Sequence, residues 1–273
     1  TGIIVTNGDP GSEESNSLVG YDFNYKNSNF NGSGNTVEGN FYVMKTFTSA
    51  LSGDDYTYGV SLDYPNSEWE WGVKAEQVEE NFNPALGFIS ETGIRQFEGD
   101  LERAWYPGGL GSIYLWASVE RLTRIDGELI TQNLNLPGVG IESAIGDELG
   151  LAPVFLEEQL FEAWEIVDGV VIPPGNYRFS RIEAEIASSE SRPLSGALSV
   201  ETGEFFSGQR TDFEAEIAWR PSPRFNISAS YETNIVDLPV GDFTVDVVQV
   251  NFNILFSPDL AWNITKQWDS ESE

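Results

Sequence analysis

The chain has 273 residues, 40% hydrophobic and 13% aromatic, with 14 Lys and Arg against 44 Asp and Glu and a net charge of −30. Cysteine and histidine are both missing, which excludes disulfides, thiolate and imidazole metal sites, thiol nucleophiles, the Ser-His-Asp triad and the usual neutral-pH general base. Such acidity repels phosphate backbones, so nucleic acid is excluded as a partner.

No run of 18 apolar residues marks a transmembrane helix, and no signal peptide precedes Thr1, as expected of a mature or trimmed exported chain. Thr1-Gly2-Ile3-Ile4-Val5 reads as the tail of a strand. From there the dominant signal is period two. Val19, Tyr21, Phe23 and Tyr25 alternate with Gly20, Asp22, Asn24 and Lys26, and Tyr56 to Tyr64 and Trp69 to Ala75 repeat the pattern. Asn135 to Ala152 has no clear period and reads as a long loop or irregular hairpin. Leu156 to Ile166 fits a short amphipathic helix or another strand. Phe213 to Trp219 and Phe225 to Tyr231 alternate again, and in Gly241 to Phe256 the apolar phase slips at Val247-Val248, as a β-bulge would produce.

Each strand therefore has one apolar and one polar face. Gln209 to Arg220 and Phe225 to Val236 each read as one uninterrupted strand, long enough for a membrane barrel, which needs about 9–11 residues per strand. We expect an all-β fold, an antiparallel transmembrane β-barrel. About fourteen strands are visible in the sequence, and sixteen or more are expected in a complete protein. Residues 1–273 read as one barrel domain, a fragment of a longer chain.

Four connections share a composition: Tyr64-Pro65-Asn66-Ser67, Tyr106-Pro107-Gly108-Gly109, Arg220-Pro221-Ser222-Pro223 and Phe256-Ser257-Pro258-Asp259. Tyr64, Trp105 with Tyr106, Trp219 and Phe256 lie at or just before them. Tight periplasmic turns beside an aromatic girdle predict this arrangement, with all four turns on one rim. The other rim is expected to carry longer polar loops, including Asn7–Asn16 and Gln77–Gly93.

Several phrases, in order, resemble the C-terminal barrel domain, of undefined function, of a family of Gram-negative surface proteins that carry an N-terminal module like family-nine carbohydrate-binding modules. They are Phe82-Asn83-Pro84-Ala85-Leu86-Gly87-Phe88, Ile172-Pro173-Pro174-Gly175-Asn176-Tyr177, Gly203 to Arg210, Leu238-Pro239-Val240-Gly241-Asp242-Phe243, Phe256 to Leu260 and Gln267-Trp268-Asp269-Ser270. The resemblance spans nearly the whole chain. It implies residence in the outer membrane of a Gram-negative bacterium, with outer-membrane lipid and other envelope proteins as partners, and carbohydrate only through a module this chain lacks. In that family the chain usually continues past the Gln-Trp-Asp phrase, whereas this one stops at Ser272-Glu273.

On the strands, the polar faces carry Asp22, Glu38, Asp63, Glu70, Glu76, Asp212, Glu214, Glu216 and Glu232, the expected lumen lining. Lys26, Lys74 and Arg220 are the chief bases beside them. Such acidity suits first solubility, a high-salt habitat or solvated loops, and second a cation-attracting lumen. Arg178, Arg181, Arg210 and Arg220 are expected to cross the lumen as ion-pair ladders. Carboxylate pairs such as Glu183 with Glu185 share glycosidase spacing, but any acidic strand facing water has it, and no catalysis is expected. The Pro-Gly phrases read as turns, and Phe205-Phe206, between Gly203 and Gly208, as a tight hairpin or a recognition element. No EF-hand spacing supports calcium at Asp9, Glu13 and Glu14 or at Asp54 and Asp55; neither metal nor cofactor is expected. The leading reading is an outer-membrane channel or the membrane anchor of a surface protein. The alternatives are a scaffold subunit with a loop-plugged lumen, a soluble acidic β-rich carbohydrate-binding module, and an outer-membrane enzyme handicapped by the missing histidine.

Overall fold

The computed structural model describes residues 1–11, 15–49 and 51–270. Glu13 and Glu14, considered above for calcium, and the terminal Ser272-Glu273 lie outside the described residues. Among the described residues there is no helix, and there are seventeen strands. These are β1 (Gly2–Asn7), β2 (Asn16–Phe30), β3 (Asn35–Thr48), β4 (Tyr56–Pro65), β5 (Trp69–Val78), β6 (Ile94–Trp105), β7 (Ser112–Arg124), β8 (Leu129–Glu142) and β9 (Glu148–Leu160). They continue as β10 (Trp164–Val167), β11 (Val170–Ile172), β12 (Gly175–Ala187), β13 (Leu194–Phe205), β14 (Gly208–Ser222), β15 (Phe225–Leu238), β16 (Gly241–Ser257) and β17 (Leu260–Asp269). Fourteen of them, all but β1, β10 and β11, are at least ten residues long.

The chain falls into two compact units, Thr1–Arg103 with Ala117–Leu134, and Ala104–Trp116 with Asn135–Glu273. In the first, β1 to β6 are hydrogen-bonded antiparallel neighbours in chain order. Residues opposite one another in register share a face. The row Tyr25↔Gly39↔Leu62↔Val73↔Gly99 therefore lies on one face, and the row Lys26↔Glu38↔Asp63↔Gly72↔Asp100 on the other. The apolar face, with Tyr21, Phe23, Phe41, Tyr58, Val60, Trp69, Phe97 and Leu101, is exposed throughout. In the second unit β9, β12, β13, β14, β15, β16 and β17 are neighbours in that order. Their apolar face exposes Ile182, Ile186, Leu198, Ile217, Trp219, Ile235, Phe252 and Ile264.

In the first unit the turn Tyr64-Pro65-Asn66-Ser67 lies at one end of the strands, and in the second unit the turns at Pro107, Pro221 and Pro258 share one end. Aromatic contacts gather beside them: Tyr64 stacks on Trp71 at 5.7 Å, Trp219 meets Phe225 edge-on at 5.8 Å, and Phe256 meets Trp262 edge-on at 5.8 Å. Trp105 and Tyr106 are exposed there too. The expected long loops occupy the opposite end of the first unit only. In the second unit that end has the two-residue connections Phe206-Ser207 and Pro239-Val240, together with the β10–β11 hairpin.

Buried cores lie at this opposite end. In the first unit the β5–β6 connection folds over the polar side, where Phe82 packs with Leu18, Val78 and Ile94. The Asn16 amide donates to the Asn83 carbonyl at 2.9 Å and the Asn83 N–H to the Thr46 hydroxyl at 3.1 Å. In the second unit the β10–β11 hairpin brings Val170 and Ile172 against Phe179, Phe205, Phe206, Val236 and Leu238. Phe206 takes a left-handed φ of 47°, costly for a bulky side chain; its ring contacts with Tyr177 at 4.9 Å and Phe205 at 4.7 Å hold it there. Phe205 and Phe206 are thus core residues, and the recognition reading fails on their burial.

Three segments differ from expectation. Asn135–Ala152 is strand at both ends, in β8 and β9, around a short turn. Its period is masked by glycines under aromatic rings: a Cβ on Gly138 would sit 2.1 Å from Trp116, and one on Gly140 2.2 Å from Tyr114. Leu156–Ile166 is strand rather than helix, divided between β9 and β10. No bulge occurs at Val247-Val248, where the β15–β16 register is unbroken; the shift lies at Leu255/Ser257. The apolar phase slips because Phe243 on the otherwise polar side packs against the buried core.

Phe205→Ala should cost about 3–5 kcal/mol in unfolding free energy, measured by denaturant titration in detergent, whereas Phe252→Ala on the exposed face should cost far less. Between β8 and β9, Asp147 accepts hydrogen bonds from the Arg192 guanidinium and, at 2.9 Å, from the Ser189 N–H. These bonds, Arg192's first, hold its carboxyl down at about 2, from 3.8. A depressed pKa contributes stability above the ordinary value and loses it as pH falls towards the folded one. Hydrogen exchange at residues 188–193 should therefore rise between about pH 4 and 2, and Asp147→Asn should show the raised exchange already at neutral pH.

Candidate functional site: a carboxylate-rich sheet face

All nine carboxylates expected to line a lumen lie on the polar face of their unit. In the first, Asp22 is opposite Tyr42, Glu38 opposite Asp63, Glu76 opposite Gly59, and Glu70 opposite Glu102. Glu98 and Asp100 of β6 join them. Gly72 lets two acids approach, since a Cβ there would lie 2.6 Å from an oxygen of Asp100 and 3.1 Å from one of Asp63. Lys26 answers Glu38 at 2.6 Å, and Lys74 answers Glu98 at 3.0 Å and Glu76 at 3.5 Å.

The second unit has two rows of acids in register, Glu183↔Glu201↔Asp212 and Glu185↔Ser199↔Glu214↔Glu232; Glu216 lies one row further along. Like charges opposite one another destabilise a sheet. The first row is neutralised locally. Buried Arg181 reaches Glu201 at 2.8 Å and pairs with Asp212, while Arg210 reaches Asp212 at 2.6 Å and the Asn234 side chain at 2.6 Å. Among the described residues no ammonium or guanidinium lies within 4 Å of the second row, so Glu185, Glu214 and Glu232 face the open side uncompensated.

The arginines do not all act as expected. Arg181 of β12 pairs with Glu201 of the adjacent β13 and with Asp212 of β14, and Arg210 pairs with Asp212 two residues along its own strand. Arg178 lies on the apolar face and pairs with Glu157 at 2.9 Å, and Arg220 reaches Glu190 in the β12–β13 loop at 3.3 Å. Their reach is sideways, because a β-sheet sets neighbouring strands only about 5 Å apart. Asp55 is held by Lys45 at 2.8 Å, and among the described residues no group of three potential metal ligands occurs. Glu98, Asp100 and Glu201 were missed from sequence; in β6 the alternation was present but broken by Arg95, Gly99 and Arg103. A cavity of about 290 Å³ lies beneath the β5–β6 connection, lined by Tyr42, Met44, Glu76, Phe82, Pro84 and Leu86 among others.

No protein-family model and no curated protein matches the chain. Among solved structures it is similar to the ferric enterobactin receptor PfeA, crystallised in complex with BCV-L6. The match has a TM-score of 0.52 and 11% identity, and covers 96% of this chain and 52% of that one. The fold class is all-β, an antiparallel β-barrel fold. The chain spans about half the length of that receptor, and the likeness speaks to fold alone.

Replacing Arg181 with Met should destabilise the second unit by about 3–5 kcal/mol, because Glu201 and Asp212 would lose their shared counter-ion. Replacing Arg210, which shares only Asp212, should cost less; denaturant midpoints of the two variants compare them.

Proposed function

We propose that the chain is the membrane-spanning part of an outer-membrane β-barrel protein of a Gram-negative bacterium, acting as a channel or as the anchor of a surface protein. One observation carries this reading: an apolar face exposed along nearly every long strand of both units, backed by a carboxylate-rich face. A soluble sandwich would cover its apolar face with a second layer, and an uncovered patch of this extent has no place in water. Lipid satisfies it. The aromatics beside the proline turns sit where a membrane interface favours them.

Within such a barrel the carboxylates would concentrate cations in any aqueous path. A second reading, a scaffold with a plugged lumen, is favoured by the inward fold of residues 79–93 and of the β10–β11 hairpin. A link to carbohydrate rests on the resemblance of local phrases alone, and no catalysis is proposed.

Membrane residence predicts purification only in detergent, heat-modifiable migration, and loss of insertion for Ile217→Arg, since a lipid-facing cation costs about 2–4 kcal/mol near the midplane. Ser228→Arg, on the polar face, should insert normally. A monodisperse chain without detergent, or equal behaviour of the two variants, would refute membrane residence. Planar-bilayer recordings should show potassium preferred over chloride, fading at high salt. Anion preference would refute the charge argument, and silence would favour the scaffold.

A further inference from the structure

Ten of the chain's 14 bases pair with carboxylates, and among the described residues Arg95, Arg121, Arg224 and Lys266 do not. Of these four, Arg95 and Arg121 lie together. Arg95 donates its Nε–H to the Gln77 side-chain oxygen at 2.6 Å, and Arg121 donates to the Gln132 side-chain oxygen at 2.8 Å. Among the described residues neither makes an ion pair, so each keeps a full charge and most of its five N–H donors. Their sequence neighbours Gln96 and Glu120 bond to one another at 3.2 Å on the polar side, and alternation turns both arginines to the apolar face.

There they line one groove of about 400 Å³ with Phe41, Tyr58, Val60 and Phe97. Arg95 is the second residue of β6 and Arg121 lies three before the end of β7, both at the end opposite the proline turns. A lipid-facing charge near the interface costs only about 0–1 kcal/mol, against several at the midplane. Two uncompensated guanidiniums at headgroup depth, beside an aromatic and aliphatic groove running towards the membrane interior, complement a phosphate with acyl chains attached.

We infer that Arg95 and Arg121 form a binding site for the phosphate of an anionic membrane lipid whose acyl chain lies along Phe41, Val60 and Phe97. The inference rests on the proposed membrane residence.

The test is native mass spectrometry of the delipidated full chain in detergent, titrated with dioleoyl phosphatidylglycerol or with dioleoylglycerol, which has the same chains and no phosphate. The phosphatidylglycerol complex should form preferentially and weaken about thirtyfold in Arg95→Gln/Arg121→Gln. Arg178→Gln, whose guanidinium is already engaged by Glu157, should bind as the wild type does. Equal binding of the two lipids, an unchanged double variant, or displacement by an equal concentration of inorganic phosphate would overturn the inference. Heat-modifiable migration in phosphatidylglycerol vesicles separates the two levels. If wild type and double variant both insert, failure of lipid preference condemns the site alone; if the wild type does not insert, membrane residence fails and the site with it.

Discussion

Hydrogen-bonded register is the constraint on which the rest depends. A strand's side chains alternate between faces with a period of two, and ladder pairing forces opposite residues onto the same face. Once Lys26 is set against Glu38, and Glu38 against Asp63, the faces of β2, β3, β4 and β5 are fixed together. A slip of one residue anywhere would turn Tyr58 and Val60 towards the carboxylates. The same ladders pair β2, β3, β4 and β5 with a neighbour on both sides, which is what an uncovered apolar face in lipid requires.

That register also creates the chief electrostatic difficulty. Alternation in an acidic chain stacks carboxylates in rows, and each row repels itself. The second unit solves one row with Arg181, which is almost inaccessible and serves two acids, and with Arg210, which shares one of them. Gly203 permits the arrangement: any Cβ there would lie 2.4 Å from the Ser180 carbonyl and 2.7 Å from the Arg181 Cα. The neighbouring row of Glu185, Glu214 and Glu232 has no such relief, and solvation must carry it. Polar-face acidity is therefore tolerable only beside water, just as apolar-face exposure is tolerable only beside lipid.

Legibility in the sequence followed the same physics. Where a strand's polar side carries exposed acids, as in Phe213 to Trp219 with Glu214 and Glu216, alternation alone identifies the element, its faces and its acids. Where the polar side is covered, the pattern breaks. Phe243 points into a core, so β16 looked bulged; Gly138 and Gly140 sit under Trp116 and Tyr114, so β8 looked like a loop. Ion-pair partners were the least legible, because the residues beside Arg178 and Arg181 are set by the register with β9 and β13, which alternation within one strand does not reveal. The local phrases behind the family resemblance fall largely on the covered regions: Phe82 in one core, and Ile172, Phe205, Phe206 and Leu238 in the other. Tight packing demands specific shapes, whereas a lipid-facing position asks only for an apolar one.

Those cores bear on how any path along the polar face behaves. The β10–β11 hairpin buries Val170 and Ile172 almost completely, and each side chain so buried contributes about 1.5–3 kcal/mol. Undocking the hairpin thus costs on the order of 3–6 kcal/mol before any compensating contact is made. At 1.4 kcal/mol for each factor of ten, the undocked form is about one molecule in a hundred to one in ten thousand. Gly241 adds to the constraint, for a Cβ there would come within 2.9 Å of Val170, so the hairpin seats against the β15–β16 turn at a spacing only glycine allows. Thermal fluctuation therefore leaves the polar face of this unit covered at one end. Uncovering it needs a ligand or partner whose binding favours the undocked form by a comparable amount.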